Sequence, residues 1–192
     1  MRTVGLVLAG GAGRRMGGQD KALIELGGQT LMARALARLG PQVDGMAISA
    51  GGDRARFAAW DLPVLDDGAH AGKGPLAGIC AGLAWAAAQG AGVLATVAVD
   101  TPFFPTDLVA RLRACGHDFA VARHGGRLHP AFGLWPARVA DRLQAALAGD
   151  TRRLGDWALA EGAAAVDFPD GGVPFFNINT AADLAMARTL AG

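Results

Sequence analysis

Lysine is almost missing from this chain: Lys21 and Lys73 stand alone against 16 arginines in 192 residues. A cation used so sparingly reads as a chosen point charge rather than surface filler. Excess charge is missing too. A net charge of +1 excludes strong sequence-independent attraction to nucleic acid. Only two cysteines occur, Cys80 and Cys115, with no CxxC or Cys/His spacing, so they read as plain thiols in a reducing compartment. The four histidines, His70, His117, His124 and His129, show no zinc spacing. No Ser/His/Asp or Cys/His triad is discernible. The apolar run Val4–Ala9 is shorter than a signal-peptide core and leads into glycine and arginine, so a cytoplasmic protein is expected.

No linker, low-complexity tract or internal repeat interrupts the chain, and its length suits one domain over residues 1–192. One uncharged run, Ile79–Val99, is long enough to span a bilayer. It is rich in alanine, glycine and valine, and Gln89-Gly90-Ala91-Gly92 breaks it, so it reads as buried helix, turn and buried strand, with no membrane contact.

Thr3–Leu8 reads as a strand buried on both faces, the pattern of a parallel sheet covered by helices. Further strands are expected at Ala22–Leu26, Met46–Ser49, Pro63–Leu65, Val93–Val99, Phe119–Ala122, Ala131–Leu134 and Ala164–Asp167. Helices are expected at Leu31–Leu39 behind Thr30 as cap, near Arg54–Trp60, and at Leu76–Ala88, Pro105–Ala114, Ala137–Leu147 and Thr151–Ala160, with a last one capped by Thr180 and ending near Leu190. This alternation predicts an α/β, Rossmann-like three-layer fold with a mainly parallel central sheet. In such sheets ligands gather at the carboxyl ends of the strands, so the loops after Leu8, Ser49, Leu65 and Val99 should meet at one crevice.

The loop after the first strand is LVLAGGAGRRMGGQDK, with five glycines in nine positions. Glycine lets backbone N–H groups approach an anion closely, and Arg14, Arg15 and Lys21 can neutralise it. The loop fails the dinucleotide fingerprint, because Met16 stands where a third glycine belongs. It fails the P-loop as well, because Gln19 stands where the lysine belongs. A phosphate cradle remains the best physical reading, the alternative being a surface loop with solvated cations. Further on, VAVDTPFFP puts Asp100 at the carboxyl end of a buried strand, stiffened by Pro102 and Pro105. A carboxylate there can hold Mg²⁺ against phosphate oxygens, or simply form a turn. GPLAG opens a helix at Gly74, whose amides and dipole favour an anion or a base-edge acceptor.

The form LAGG-x-G-RRMGG-x-DK resembles the signature of nucleotidyltransferases, and within them the molybdenum cofactor guanylyltransferases of the MobA type. Five motifs match in order along nearly the full length. The resemblance implies transfer of GMP from GTP to the phosphate of molybdopterin, releasing pyrophosphate. It implies nucleotide binding by Leu8, Ala9, Gly10, Gly11, Gly13, Lys21, Asp67, Gly74 and Asp100, with catalysis by Arg15, Lys21 and Asp100 and Mg²⁺ on Asp100. A carboxylate at Asp67 suits guanine, whose N1–H and N2–H₂ both donate. His129, Asn177 and Asn179, in HPAFGLWP and FFNINTAADL, fall where that family binds its pterin acceptor. His129 before proline can also be an ordinary turn. Where the family often carries asparagine, this chain has Ser49, a departure at the end of the strand that reads MAISAGG. A monomer is expected, with transient contacts to cofactor-biosynthesis proteins or molybdoenzymes. The rivals are cytidylyl or other nucleotidyl transfer to a different phosphorylated acceptor, a nicotinamide-dependent oxidoreductase, and a nucleotide sensor without catalysis.

Overall fold

The structure is a computed structural model that describes residues 1–10, 20–66, 74–149, 153–169 and 172–191. In chain order its elements are β1 (Thr3–Leu8), the short pair β2 (Glu25–Leu26) and β3 (Gln29–Thr30), α1 (Leu31–Leu39), β4 (Met46–Ser49), β5 (Val64–Leu65), α2 (Pro75–Ala88), β6 (Val93–Ala98), α3 (Leu108–Ala114), β7 (Ala120–His124), β8 (Arg127–Pro136), α4 (Ala140–Ala148), α5 (Leu154–Ala160), β9 (Ala164–Asp167) and α6 (Ala181–Ala191). Seven strands form one sheet in the order β5-β4-β1-β6-β8-β7-β9. Among them β8 alone runs antiparallel to its neighbours β6 and β7. The α/β fold with a mainly parallel sheet is therefore present.

Alternate residues of β1 point to opposite faces, as a strand buried on both sides requires. Val7 joins a core built with Leu31, Met32 and Leu36 of α1, Leu108 and Leu112 of α3, and Ala187 of α6. Val4, Leu6 and Leu8 join the opposite core with Ile79 and Leu83 of α2, Leu143 of α4 and Ala158 of α5. These are the outer two of the three expected layers. The buried Thr96 hydroxyl of β6 is satisfied: Trp135 Nε1 donates to Thr96 Oγ1 at 2.9 Å.

The uncharged run resolves as expected into α2, a turn at Gln89–Gly92 and β6. None of the described helices is long and apolar enough to cross a membrane.

Several expected elements change. The helix expected near Arg54–Trp60 is present as a 3-10 helix, entered by Asp53, whose carboxylate accepts from Ala55 N. In place of a strand over Ala22–Leu26, Lys21–Leu23 turns as a 3-10 helix capped by Asp20, and of the expected strand Glu25–Leu26 alone is paired. The α3 and α5 helices start late, at Leu108 and Leu154. The larger difference is the hairpin β7–β8. Gly125 and Gly126 have φ of +54° and +73°, the left-handed pair that a tight two-residue turn needs. That turn folds β8 back along β7 and accounts for its antiparallel direction. It also lengthens β8 to ten residues, well beyond Ala131–Leu134.

The strand order reverses at β1. The chain moves outward from β1 to β4 and β5, then returns to pair β6 on the other side of β1. Such a reversal opens a crevice beyond the carboxyl ends of the two strands, and here those strands are β1 and β6.

Candidate active site

β1 and β6 pair with Leu8 opposite Ala98. Two residues beyond each lie Gly10 and Asp100. Val99 N donates to Leu8 O at 3.1 Å, Ala9 N to Ser49 O at 2.8 Å, and Ala50 N to Leu65 O at 2.9 Å. The carboxyl ends of β5, β4, β1 and β6 thus stand in one row, so the four loops expected to meet leave the sheet side by side. Leu8 and Ala9 are buried under this row and Gly10 is exposed above it.

Lys21 reaches back across that row. Asp20 ends the glycine-rich segment and caps the turn that carries Lys21, its Oδ1 accepting from Ala22 N at 3.0 Å. The Lys21 ammonium donates to Asp100 Oδ2 at 3.0 Å and to Asn179 Oδ1 at 2.7 Å. Lys21 and Asp100 are each 20% exposed. An ammonium has three donors, so these two contacts leave one for a phosphate oxygen. Three side chains separated by as many as 158 residues therefore share one corner.

The neighbouring segments are tied to the same corner. Ile178, buried between the exposed Asn177 and the half-buried Asn179, donates its N–H to Asp100 O at 2.8 Å. Arg38 on α1 donates to Phe104 O at 3.0 Å, holding the loop that follows Asp100. Arg56 Nε forms an ion pair with Asp20 Oδ2 at 2.5 Å, and Arg56 also donates to Gly51 O at 2.8 Å. Asp20 and Lys21 are thereby fastened to the β4 side through Arg56 and to the β6 side through Asp100.

The N-terminus of α2 enters the row from above. Gly74 caps it with φ +66° and ψ −150°, a backbone that side chains rarely adopt. One turn on, Gly78 lies so close to β1 and β4 that a Cβ there would stand 2.5 Å from Ser49 Oγ and 2.8 Å from Leu8 Cδ2. Gly82 similarly faces Leu6 and Leu94, at 2.6 and 2.8 Å. These two glycines set the height of the helix over the crevice.

His129 is half-buried on β8. Its ring stacks on Phe175 with centroids 4.6 Å apart and planes at 19°. Phe175 also meets Phe132 and Phe168 edge-on, so the ring network supports the strand-like segment leading to Asn179. Burial, with Arg127 and His124 nearby, pulls the His129 pKa from 6.5 down to about 4. The ring is neutral at pH 7 and offers an aromatic surface rather than a cation. Unfolding frees it to take a proton below about pH 6.5, so stability drops as pH falls from 6.5 towards 4. His129→Phe keeps the stacking and removes the proton site. Thermal unfolding of that variant should show a flatter decline across this pH window than the parent.

Arg15, Gly11, Gly13 and Asp67 lie outside the described residues, as does Lys73. Of the remaining candidates, Lys21 touches both Asp100 and Asn179, and Leu8, Ala9 and Gly10 line the adjoining strand end. Gly74 borders the crevice from α2. His129 joins the corner only through Phe175. Three residues were missed by sequence reasoning: Asp20, which lies inside the quoted motif, Arg56, and Asp183 on α6. Asp183 carried a visible signal, because Thr180-x-x-Asp183 has the spacing of a capping box.

The corner suits a hard cation that brings most of its own ligands. Asp100 and Asn179 present oxygen donors, and among the described residues no three His, Cys, Asp or Glu side chains gather. That donor set matches Mg²⁺, which takes one or two carboxylates plus phosphate oxygens and water.

A family model described as "MobA-like NTP transferase domain" matches residues 5–164. The chain belongs to this family. Among its relatives is a molybdenum cofactor guanylyltransferase from Cereibacter sphaeroides, 54% identical over 191 residues that make up 99% of this chain and 97% of the relative. Another of the same name, from Acidiphilium cryptum, is 51% identical, with 95% of this chain and 92% of the relative covered. Among solved structures, molybdopterin-guanine dinucleotide biosynthesis protein A from Archaeoglobus fulgidus superposes with a TM-score of 0.74 at 26% identity, covering 97% of each chain. For a MobA-like transferase with this sheet, the crevice beyond β1 and β6 lies at the switch point where open α/β sheets bind ligands.

Proposed function

We propose that the chain transfers GMP from GTP to the terminal phosphate of molybdopterin, forming the guanine dinucleotide cofactor and releasing pyrophosphate. The observation that carries this reading is the meeting of Lys21, Asp100 and Asn179 at the carboxyl ends of β1 and β6. The names of the relatives support the choice of guanine and of the molybdenum cofactor over cytidylyl transfer or another acceptor.

In this reading an oxygen of the acceptor phosphate attacks the α-phosphorus of GTP. One P–O bond forms, the α–β P–O bond breaks, and the electron pair leaves with pyrophosphate. The attacking phosphate is already ionised, so no strong general base is required. The backbone amides of Gly10, Gly11 and Gly13, just beyond the buried Leu8 and Ala9, donate to the triphosphate. Arg15 and Lys21 stabilise charge on the transferring and leaving phosphates, and Lys21 is positioned before the reaction rather than reorganised during it. Asp67 accepts from guanine, and the N-terminus of α2 at Gly74 adds its dipole. Asn177 and Asn179 face the acceptor, and the neutral His129 ring supports them through Phe175. Asp100 would hold Mg²⁺, which supplies Lewis-acid neutralisation of phosphate charge when bound.

Measuring pyrophosphate release in the presence of molybdopterin tests the assignment. GTP should be preferred to CTP by at least about 10²-fold in kcat/KM, because a site that hydrogen-bonds one base edge leaves polar groups unpaired against the other. Equal rates, or faster release with CTP, would overturn the guanylyl assignment.

A further inference from the structure

We propose that Asp183 is a positioning residue for Lys21, acting through Asn179. The proposal deepens the nucleotidyl-transfer reading and rests on it for its kinetic arm alone.

Asp183 lies in the first turn of α6, three residues beyond Thr180. Thr180 Oγ1 accepts from Asp183 N at 3.1 Å, and Asp183 Oδ2 accepts from Thr180 N at 2.8 Å. Those two bonds complete a reciprocal cap of the kind that stabilises any helix start. A third bond goes beyond that need: the same Asp183 Oδ2 accepts from Asn179 N at 2.9 Å. Asn179 precedes the cap, and its N–H is not one of the helix's own orphan donors. Its side chain is the one that receives Lys21 at 2.7 Å. The Asp183 bonds at Asn179 N and Thr180 N, together with the Ile178 N bond to Asp100 O, fix the backbone on both sides of that side chain. The hydrogen bonds from Asn179 and Thr180 hold the Asp183 carboxyl below the usual carboxylate range, and the Lys21 charge adds to this.

A long, flexible lysine side chain loses much rotamer freedom when held in one place. Asp100 supplies one anchor and Asn179 the other. Without Asp183, the backbone of Asn179 is held from the Ile178 side only, and the second anchor loosens. The ammonium then spreads over several positions, at a cost to charge stabilisation in the transition state.

The scarcity of lysine supplies the test. In protein labelled with ¹³C-lysine only Lys21 and Lys73 give side-chain signals, and Lys73→Arg assigns them. An immobilised Lys21 shows two distinct Hε shifts in the parent chain. In Asp183→Ala these should merge, and kcat should fall roughly tenfold with little change in KM for GTP. Asp183→Asn, which keeps the shape and one acceptor oxygen, should fall between. In an Asn179→Ala background, Asp183→Ala should cause no further loss, since both act through the same amide. Thr180→Ala breaks the reciprocal cap without touching Asn179. It should lower Tm comparably while leaving the Lys21 signals and kcat as in the parent. The proposal is overturned if the two Hε shifts of Lys21 survive Asp183→Ala, if the loss adds fully to that of Asn179→Ala, or if Thr180→Ala has the same spectral effect. Should the parent chain fail to consume GTP, the function assignment falls while the spectrum still decides the positioning role.

Discussion

Lys21→Ala is expected to lower turnover with GTP and molybdopterin roughly 10²–10³-fold, the scale of losing one preorganised electrostatic group. The ammonium stands 3.0 Å from Asp100 and 2.7 Å from Asn179, so its charge is aimed before substrate arrives. Lys21→Arg should rescue little of the loss. A planar guanidinium cannot present donors to Asp100, Asn179 and a phosphate in the space of a compact ammonium. Asp100→Ala should cost a similar factor, and the double variant should be scarcely slower than the worse single one, because the two groups act as a unit. Steady-state pyrophosphate release measures all four. Circular dichroism and Tm values near those of the parent would establish that the loss is chemical rather than structural.

Gly78→Val is expected to destabilise the fold by about 2–3 kcal/mol, which for a chain of this size lowers Tm by roughly 5–10 °C. A Cβ at this position meets Ser49 Oγ and Cβ at 2.5 and 3.3 Å as well as Leu8. Ser49 is a short side chain on a central strand and cannot swing away as a leucine tip can. Relief must therefore come from lifting α2 off β1 and β4, which carries Gly74 away from the crevice. KM for GTP should rise along with the loss of stability. Gly82→Ala is the contrasting case. Its neighbours are the Cδ2 atoms of Leu6 and Leu94, which can shift, and alanine regains about 1 kcal/mol of helix propensity. Its effect should be much smaller, and thermal unfolding of the two variants side by side reads the difference.

How far these features could be read in advance depends on the range of the interactions that create them. β1, α1, β4 and β9 follow from local pattern alone: a short apolar run bounded by glycine or proline, or a Thr30 cap followed by a 3.6-residue period. The approach of Lys21 to Asp100 was also legible, because both sit where strand ends meet a crevice in any doubly wound sheet. The hairpin at Gly125-Gly126 was signalled by the glycine pair between two apolar stretches, yet reading the flanking strands as separate units concealed it. With it went the antiparallel direction of β8. The 3-10 geometry of Arg54–Trp60 left no trace in periodicity, since seven residues with few buried positions fit either helix. Asn179 was placed with the acceptor, but its bond to Lys21 joins residues that only the tertiary fold brings together. The Arg56–Asp20 pair is of the same kind. Nothing near either residue announces the other, and the pair exists because β4 lies beside β1.

The most direct measurement is a crystal structure of the chain with Mg²⁺ and a GTP analogue that cannot release pyrophosphate. The account predicts a triphosphate lying along Gly10 to Gly13 beyond β1, a phosphate oxygen within hydrogen-bonding distance of Lys21 Nζ, and the metal on Asp100 with guanine towards Asp67. A triphosphate bound elsewhere on the molecule, with Lys21 and Asp100 still paired only to each other and to Asn179, would contradict it.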